Sequence, residues 1–182
     1  GTRAAPTIGR IVSTDGGVAW GSYQAFGHDA LMTIRRKDGT LLTYPYWQVP
    51  VGGGNYSLKY WTSAVNSNGA AWSPGYPSSN AGTVNTNMQG HRSIIEEPNG
   101  DLYACGYQSD IKLIKSTNGG ATWTWMSPAV MDGAASYSEP ALERCADGSW
   151  LMVARLDGLG VGMRWSRSTN QGVSWTAPAA LS

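Results

Sequence analysis

Between residues 137 and 182, apolar and polar positions alternate in short runs that turn residues interrupt at close intervals. "PALER" (140–144) and "SWLMVAR" (149–155) are β-prone runs split by Asp147-Gly148, a dipeptide suited to a hairpin turn. "GMRWSRS" (162–168) and "SWTAP" (174–178) are two more, split by the Ser-Thr-Asn-Gln-Gly stretch at 168–172. The pattern predicts four short antiparallel strands. The preceding stretch repeats it: "HRSIIEE", a turn at Asn99-Gly100, "DLYACGY", "IKLIKS" and "TWTWM". An earlier copy reads "DALMTIRR", a turn at Asp38-Gly39, "TLLTYPYW", "NYSLKYWTS" and "AAWSPG". No helical period competes with this alternation anywhere in the chain.

One motif punctuates these units. "STDGGVAW" (13–20), "STNGGATW" (116–123) and "STNQGVSW" (168–175) all fit Ser-x-Asp/Asn-x-Gly-x-x-Trp. A fourth copy, "VNSNGAAW", ends at Trp72, with Gly69 in register and Val65 and Ser67 at the Ser and Asp positions. Trp20, Trp72, Trp123 and Trp175 are thus spaced by 52, 51 and 52 residues, the mark of stacked supersecondary units. In each copy the Asp or Asn is expected to accept backbone N–H bonds, the Gly to take a positive φ and the Ser to add a local bond. The Trp is expected to wedge between neighbouring sheets, with about 5 kcal/mol of gross burial per ring. The predicted structural residues are therefore Ser13, Asp15, Gly17 and Trp20; Gly69 and Trp72; Ser116, Asn118, Gly120 and Trp123; and Ser168, Asn170, Gly172 and Trp175. Four-stranded antiparallel units of about 50 residues read as β-propeller blades. The expected division is a half blade at 1–27 and blades at 28–80, 81–132 and 133–182.

Composition narrows the functions open to such a fold. The formal charge is +1, from 13 basic and 12 acidic residues, which gives no electrostatic case for nucleic acid or an anionic membrane. No apolar run is long enough for a membrane helix, and no signal-peptide pattern occurs in this sequence. Nine Trp and nine Tyr stand against one Phe, a balance that suits a turn-rich, glycan-facing protein and leans towards an extracellular or periplasmic location. Cys105 and Cys145 allow one disulfide, with buried thiols the expected state. His28 and His91 do not combine with the cysteines into a metal-ligand spacing, so no metal and no cofactor is expected. "VGGGN" (51–55) lacks the Lys and helix of a phosphate loop and reads as a loop between strands.

The repeated motif is the Asp-box, or BNR repeat, and the chain resembles the sialidase superfamily. "EPALERCADGSWLMVAR" (139–155) is the more specific match: a Glu, a strand, Asp-Gly, a second strand and a terminal Arg. The resemblance implies that Glu139 polarises a nucleophilic Tyr and that Arg155 helps to clasp a substrate carboxylate. Pairing about the Asp147-Gly148 turn brings Glu139 and Arg155 within about one residue of each other across the ladder, at the open end of the inner strands. The same counting places Ala30 and His91 at that mouth, with Tyr46 and Tyr107 on the return strands and Arg92 beside His91. Tyr137 lies close to Glu139 in sequence, away from the family's nucleophile position, and joins Tyr46, His91, Arg92 and Tyr107 as a candidate substrate-binding residue at a mouth that would suit a sugar. Asp29, Asp110 and Asp132 are the candidates for an acid/base.

The function expected from this reading is a sialidase-like glycoside hydrolase module acting on terminal acidic sugars. The alternatives are a non-catalytic carbohydrate-binding propeller, adhesin- or lectin-like, and a purely structural Asp-box propeller. The family's Arg-Ile-Pro strand, third Arg and downstream Tyr are absent from these 182 residues, which at this period make about half of a six-bladed ring. The expected partners are a glycan or sialoside and either a second copy or a further chain segment that completes the ring.

Overall fold

A computed structural model describes residues 9–26, 32–44, 49–52, 55–57, 60–75, 89–107, 110–131, 136–157 and 162–181. The chain falls into two units, residues 1–30 and 31–182. All the regular structure described is β.

In the first unit, β1 (Gly9–Arg10) pairs antiparallel with β2 (Gln24–Ala25) around the 13–20 box. The second unit holds three four-stranded antiparallel sheets. The first is β3 (Met32–Arg35), β4 (Leu41–Tyr44), β7 (Tyr60–Ser63) and β8 (Ser73–Gly75). Between β4 and β7, β5 (Val49–Gly52) and β6 (Asn55–Ser57) form a separate hairpin. Val51 and Gly52 of "VGGGN" close β5 and Asn55 opens β6, so the segment joins two strands as expected, and "NYSLKYWTS" divides between two sheets. The second sheet is β9 (Gln89–Glu96), β10 (Leu102–Tyr107), β11 (Ile111–Ser116) and β12 (Thr124–Met131). The third is β13 (Ser136–Arg144), β14 (Trp150–Asp157), β15 (Gly162–Ser168) and β16 (Ala179–Ala180).

Period-two alternation in β10 builds both cores of this unit. Leu102 and Ala104 face Met32, Leu42 and Tyr44 of the first sheet, together with Ile114 and Trp123. Tyr103 and Cys105 face Leu142, Trp150, Met152 and Ala154 of the third. The first strands of successive sheets, β3, β9 and β13, lie side by side.

The turns obey the sequence. In the Arg36–Thr40, Glu97–Asp101 and Cys145–Ser149 hairpins the same two backbone bonds recur, and Gly39, Gly100 and Gly148 have φ of 84°, 89° and 83°. The boxes are near copies of one another. Gly120 N–H donates to Ser116 Oγ at 2.9 Å, Thr122 N–H to Asn118 Oδ1 at 2.9 Å and Trp123 Nε1–H to the Gly120 carbonyl at 3.1 Å. Gly172, Ser174 and Trp175 make the same three bonds at 2.9, 2.9 and 3.1 Å. Asp15 accepts from Ala19 N–H and Ser13 Oγ in the first box; these bonds hold its carboxyl below the ordinary value of 3.8.

The boxes at 116–123 and 168–175 each lean on the sheet before their own. The Tyr44 hydroxyl donates to the Gly120 carbonyl at 3.2 Å, and Trp123 sits edge-on to the Tyr44 ring in the shared core. A side chain at Gly172 would meet Leu113 of the preceding sheet and Trp150 of its own. Trp20 departs from the expected wedge: it is 60% exposed, because in its own unit the described strands are one two-residue pair and supply no sheet to cover it.

The fourth box also needs correction. Leu41, Leu102 and Trp150 open the second strands of their sheets and pair with Ser63, Ser116 and Ser168. The residue equivalent to the box serine is thus Ser63, not Val65. Ser63 Oγ bonds Ser67 and the Ala71 carbonyl. The motif keeps its serine, and its loop is two residues longer, with Asn66 and Asn68 taking positive φ.

Candidate functional site

In the third sheet, Arg144, Trp150 and Ser168 pair at one end, beside the hairpin and the box, and Ser138, Arg155 and Met163 pair near the other. The anchoring turns and the predicted Glu–Arg pair therefore occupy opposite ends of the sheet. Between Ser138 and Ala141 the register slips, so that Glu139 and Pro140 oppose the single residue Ala154, a β-bulge. Glu139 takes the extra position with φ 53°, in the left-handed region that a non-glycine residue occupies at a cost of about 1–3 kcal/mol. The bulge turns its carboxylate onto Arg155: Nη1 is 3.1 Å from Oε2.

A second carboxylate completes the group. Arg155 Nε donates to Asp157 Oδ1 at 3.0 Å, and the hydroxyl of Ser138, a buried residue, donates to the same oxygen at 2.8 Å. The Asp157 bond, then the charges of Glu139, Asp157 and Tyr107, raise the Arg155 pKa above its usual value. All three charged side chains are open to water, with exposures of 48% for Arg155, 43% for Glu139 and 34% for Asp157. The cluster can therefore meet a soluble ligand with one guanidinium fork and two hydrogen-bond-accepting carboxylates. Asp157 was not found from sequence, although it carried a signal: residues i and i+2 of a strand share a face.

The remaining predicted residues divide. Tyr107 stands at the end of β10 in the position that Arg155 holds on β14, packed at the margin of the core between the two sheets. Its ladder partner on β9 is Gln89, not His91, because three residues, 91–93, oppose Cys105 where β9 bulges. His91 and Arg92 belong to that bulge, and their side chains lie outside the described residues. Tyr137 is packed in the core with Leu142 and Met152 and is 6% exposed. Asp110 pairs with Lys112 at 3.5 Å, and that Lys lies over the Trp125 ring, towards the fourth strand of its sheet. Asp29, Ala30, Tyr46 and Asp132 lie outside the described residues. Both cysteines are thiols, and burial pushes Cys105 up to about 12.

No protein-family model and no curated protein matches the chain. Solved structures do. A protein of unknown function from Dyadobacter fermentans is 20% identical with a TM-score of 0.70, over 93% of this chain and 57% of that one. An α-L-arabinanase of Penicillium chrysogenum complexed with arabinobiose is 10% identical with a TM-score of 0.63, over 94% and 57%. An intramolecular trans-sialidase from Ruminococcus gnavus in complex with oseltamivir carboxylate is 16% identical with a TM-score of 0.57, over 94% and 40%. The chain spans little more than half the length of the first two. At these identities the likeness defines the fold. It is an all-β, propeller-type fold, and the described residues hold three four-stranded antiparallel sheets and two separate strand pairs.

Proposed function

We propose that this chain is part of a glycan-acting propeller, a glycoside-hydrolase module whose sugar-handling groups are Glu139, Arg155, Asp157 and Tyr107. The observation that carries the reading is the bulged, positive-φ Glu139 locked onto Arg155 at the end of the sheet away from the boxes. Strain of this kind persists where a side chain must be aimed, and it costs stability that packing alone would not require. In this scheme Arg155 donates hydrogen bonds to the sugar and Glu139 is the base for a nucleophile. The resemblance to sialidases suggests a Tyr in that second role, supplied by further sequence or by a second copy of the chain.

The Asp-boxes and the resemblance of residues 139–155 support the sialidase superfamily as the kinship, and the Trp- and Tyr-rich composition supports an exported protein as its setting. The test is turnover of a panel of fluorogenic glycosides, sialosides and neutral glycosides together, by the full chain and its Glu139→Gln variant. Turnover lost in the variant is expected. Binding to a glycan array without turnover would favour the lectin-like alternative. The absence of both turnover and binding would overturn a glycan function.

A further inference from the structure

The bonding of Arg155 bears on which sugar such a site accepts. A guanidinium clasps a carboxylate through two parallel N–H bonds, either along its Nη1–Nη2 edge or along its Nε–Nη2 edge. In this chain the Nε–Nη2 edge has its Nε donor taken by Asp157 at 3.0 Å, and the Glu139 carboxylate stands 3.1 Å from Nη1 beside the other edge. A ligand carboxylate therefore finds one fork incomplete and a carboxylate already standing beside the other. Charge points the same way. Among the described residues the ion pairs of this cluster contain one cation and two anions, a local sum of −1.

The Asp157 contact is built in rather than incidental. Its Oδ1 is held by the Ser138 hydroxyl at 2.8 Å, and Ser138 is 3% exposed, so this carboxylate cannot swing away without stranding a buried donor. The two carboxylates present acceptors, which suit the hydroxyl hydrogens of an uncharged sugar and repel an acid.

Resting on the proposed glycan function, we infer that this site takes a neutral sugar in preference to an acidic one, and that Asp157 is the residue that sets this preference. Glu139 and Asp157 accept from ring hydroxyls, while the remaining Arg155 N–H groups donate to a hydroxyl or ring oxygen. Asp157→Asn keeps the side chain's shape and its acceptor oxygen, and removes one of the two negative charges.

The experiment measures the dissociation constants of the full chain for matched glycans that differ only at the terminus: a galactose-ended oligosaccharide, its sialylated form and arabinobiose. Wild type is expected to bind a neutral terminus more tightly than the sialylated one. Asp157→Asn is expected to shift the acidic-to-neutral affinity ratio about tenfold towards the acid, as loss of a like charge a few ångströms away would produce. Preference of wild type for the sialylated glycan, or an unchanged ratio in a folded Asp157→Asn protein, would overturn the inference and leave the glycan function in place. Failure of wild type to bind any of the three would overturn both.

Discussion

A methyl group at Gly120 tests whether the box fastens one blade to the next. Gly120 has φ of 91°, so alanine there incurs a left-handed backbone cost of about 1–2 kcal/mol. Its Cβ would also run into the Tyr44 hydroxyl and come within 3.1 Å of Leu42 Cδ2 on the preceding sheet. Pushing Tyr44 aside breaks its bond to the Gly120 carbonyl and overpacks the core, adding about 1 kcal/mol for the bond and about 1–3 kcal/mol for the packing. Gly100 supplies the control, because its φ is 89° and a Cβ there meets nothing within 4 Å. Gly100→Ala should therefore lose about 1–2 kcal/mol and Gly120→Ala about 3–6 kcal/mol. In urea unfolding followed by tryptophan fluorescence, at a slope of about 2 kcal/mol/M, the midpoints should differ by roughly 1–2 M. Equal midpoints would mean that the close approach of box and neighbouring sheet contributes nothing to stability.

Four further outcomes are expected. Tyr44→Phe should cost about 1 kcal/mol by the same assay, since it removes only the hydroxyl that reaches Gly120. Glu139→Gly relieves the positive φ and loses one water-exposed ion pair, so its midpoint should equal or exceed that of wild type while glycan turnover or binding falls; a clear loss of stability would count against strain at the bulge. With a thiol reagent at neutral pH, native protein should react once, at Cys145, and denatured protein twice, because Cys105 is buried with its pKa raised to about 12. Asp38, Asp101 and Asp147 are held below 3.8, chiefly by bonds from Thr40, Lys115 and Ser149 respectively. The stability they add is present above that value and drains away as pH falls through their lower folded values, so a flat denaturation midpoint between pH 4 and pH 2 would contradict these turns.

The parts of the fold that repeat were legible in the sequence, and the parts that break the repeat were not. Three hairpins and three boxes follow from Gly at positive φ and from Asp, Asn and Ser bonding their own backbone, which are local and so visible in short words of sequence. Ser63 stays hidden when the copies are matched on Gly69 and Trp72, whereas the ladder matches them on the last residue of the third strand. The bulges in β9 and β13 leave no such word. One moved Gln89 opposite Tyr107 in place of His91, and the other carried Glu139 one step past the ladder partner of Arg155. Counting from a turn reached Glu139 and Arg155 because a single extra residue still leaves two long side chains within reach. The same counting passes over Asp157, and nearness in sequence to Glu139 makes a candidate of the core residue Tyr137, since which face of a strand is buried depends on the neighbouring sheet.

The segregation of the third blade into two ends also makes it a chassis. Fastening bonds cluster about Trp150 and Ser168, several residues from Ser138 and Arg155, so connections at the far rim can lengthen, shorten or be exchanged while the rivets stay untouched. Grafting a foreign loop between β14 and β15 should therefore alter what is recognised and leave the melting behaviour of the scaffold as it was.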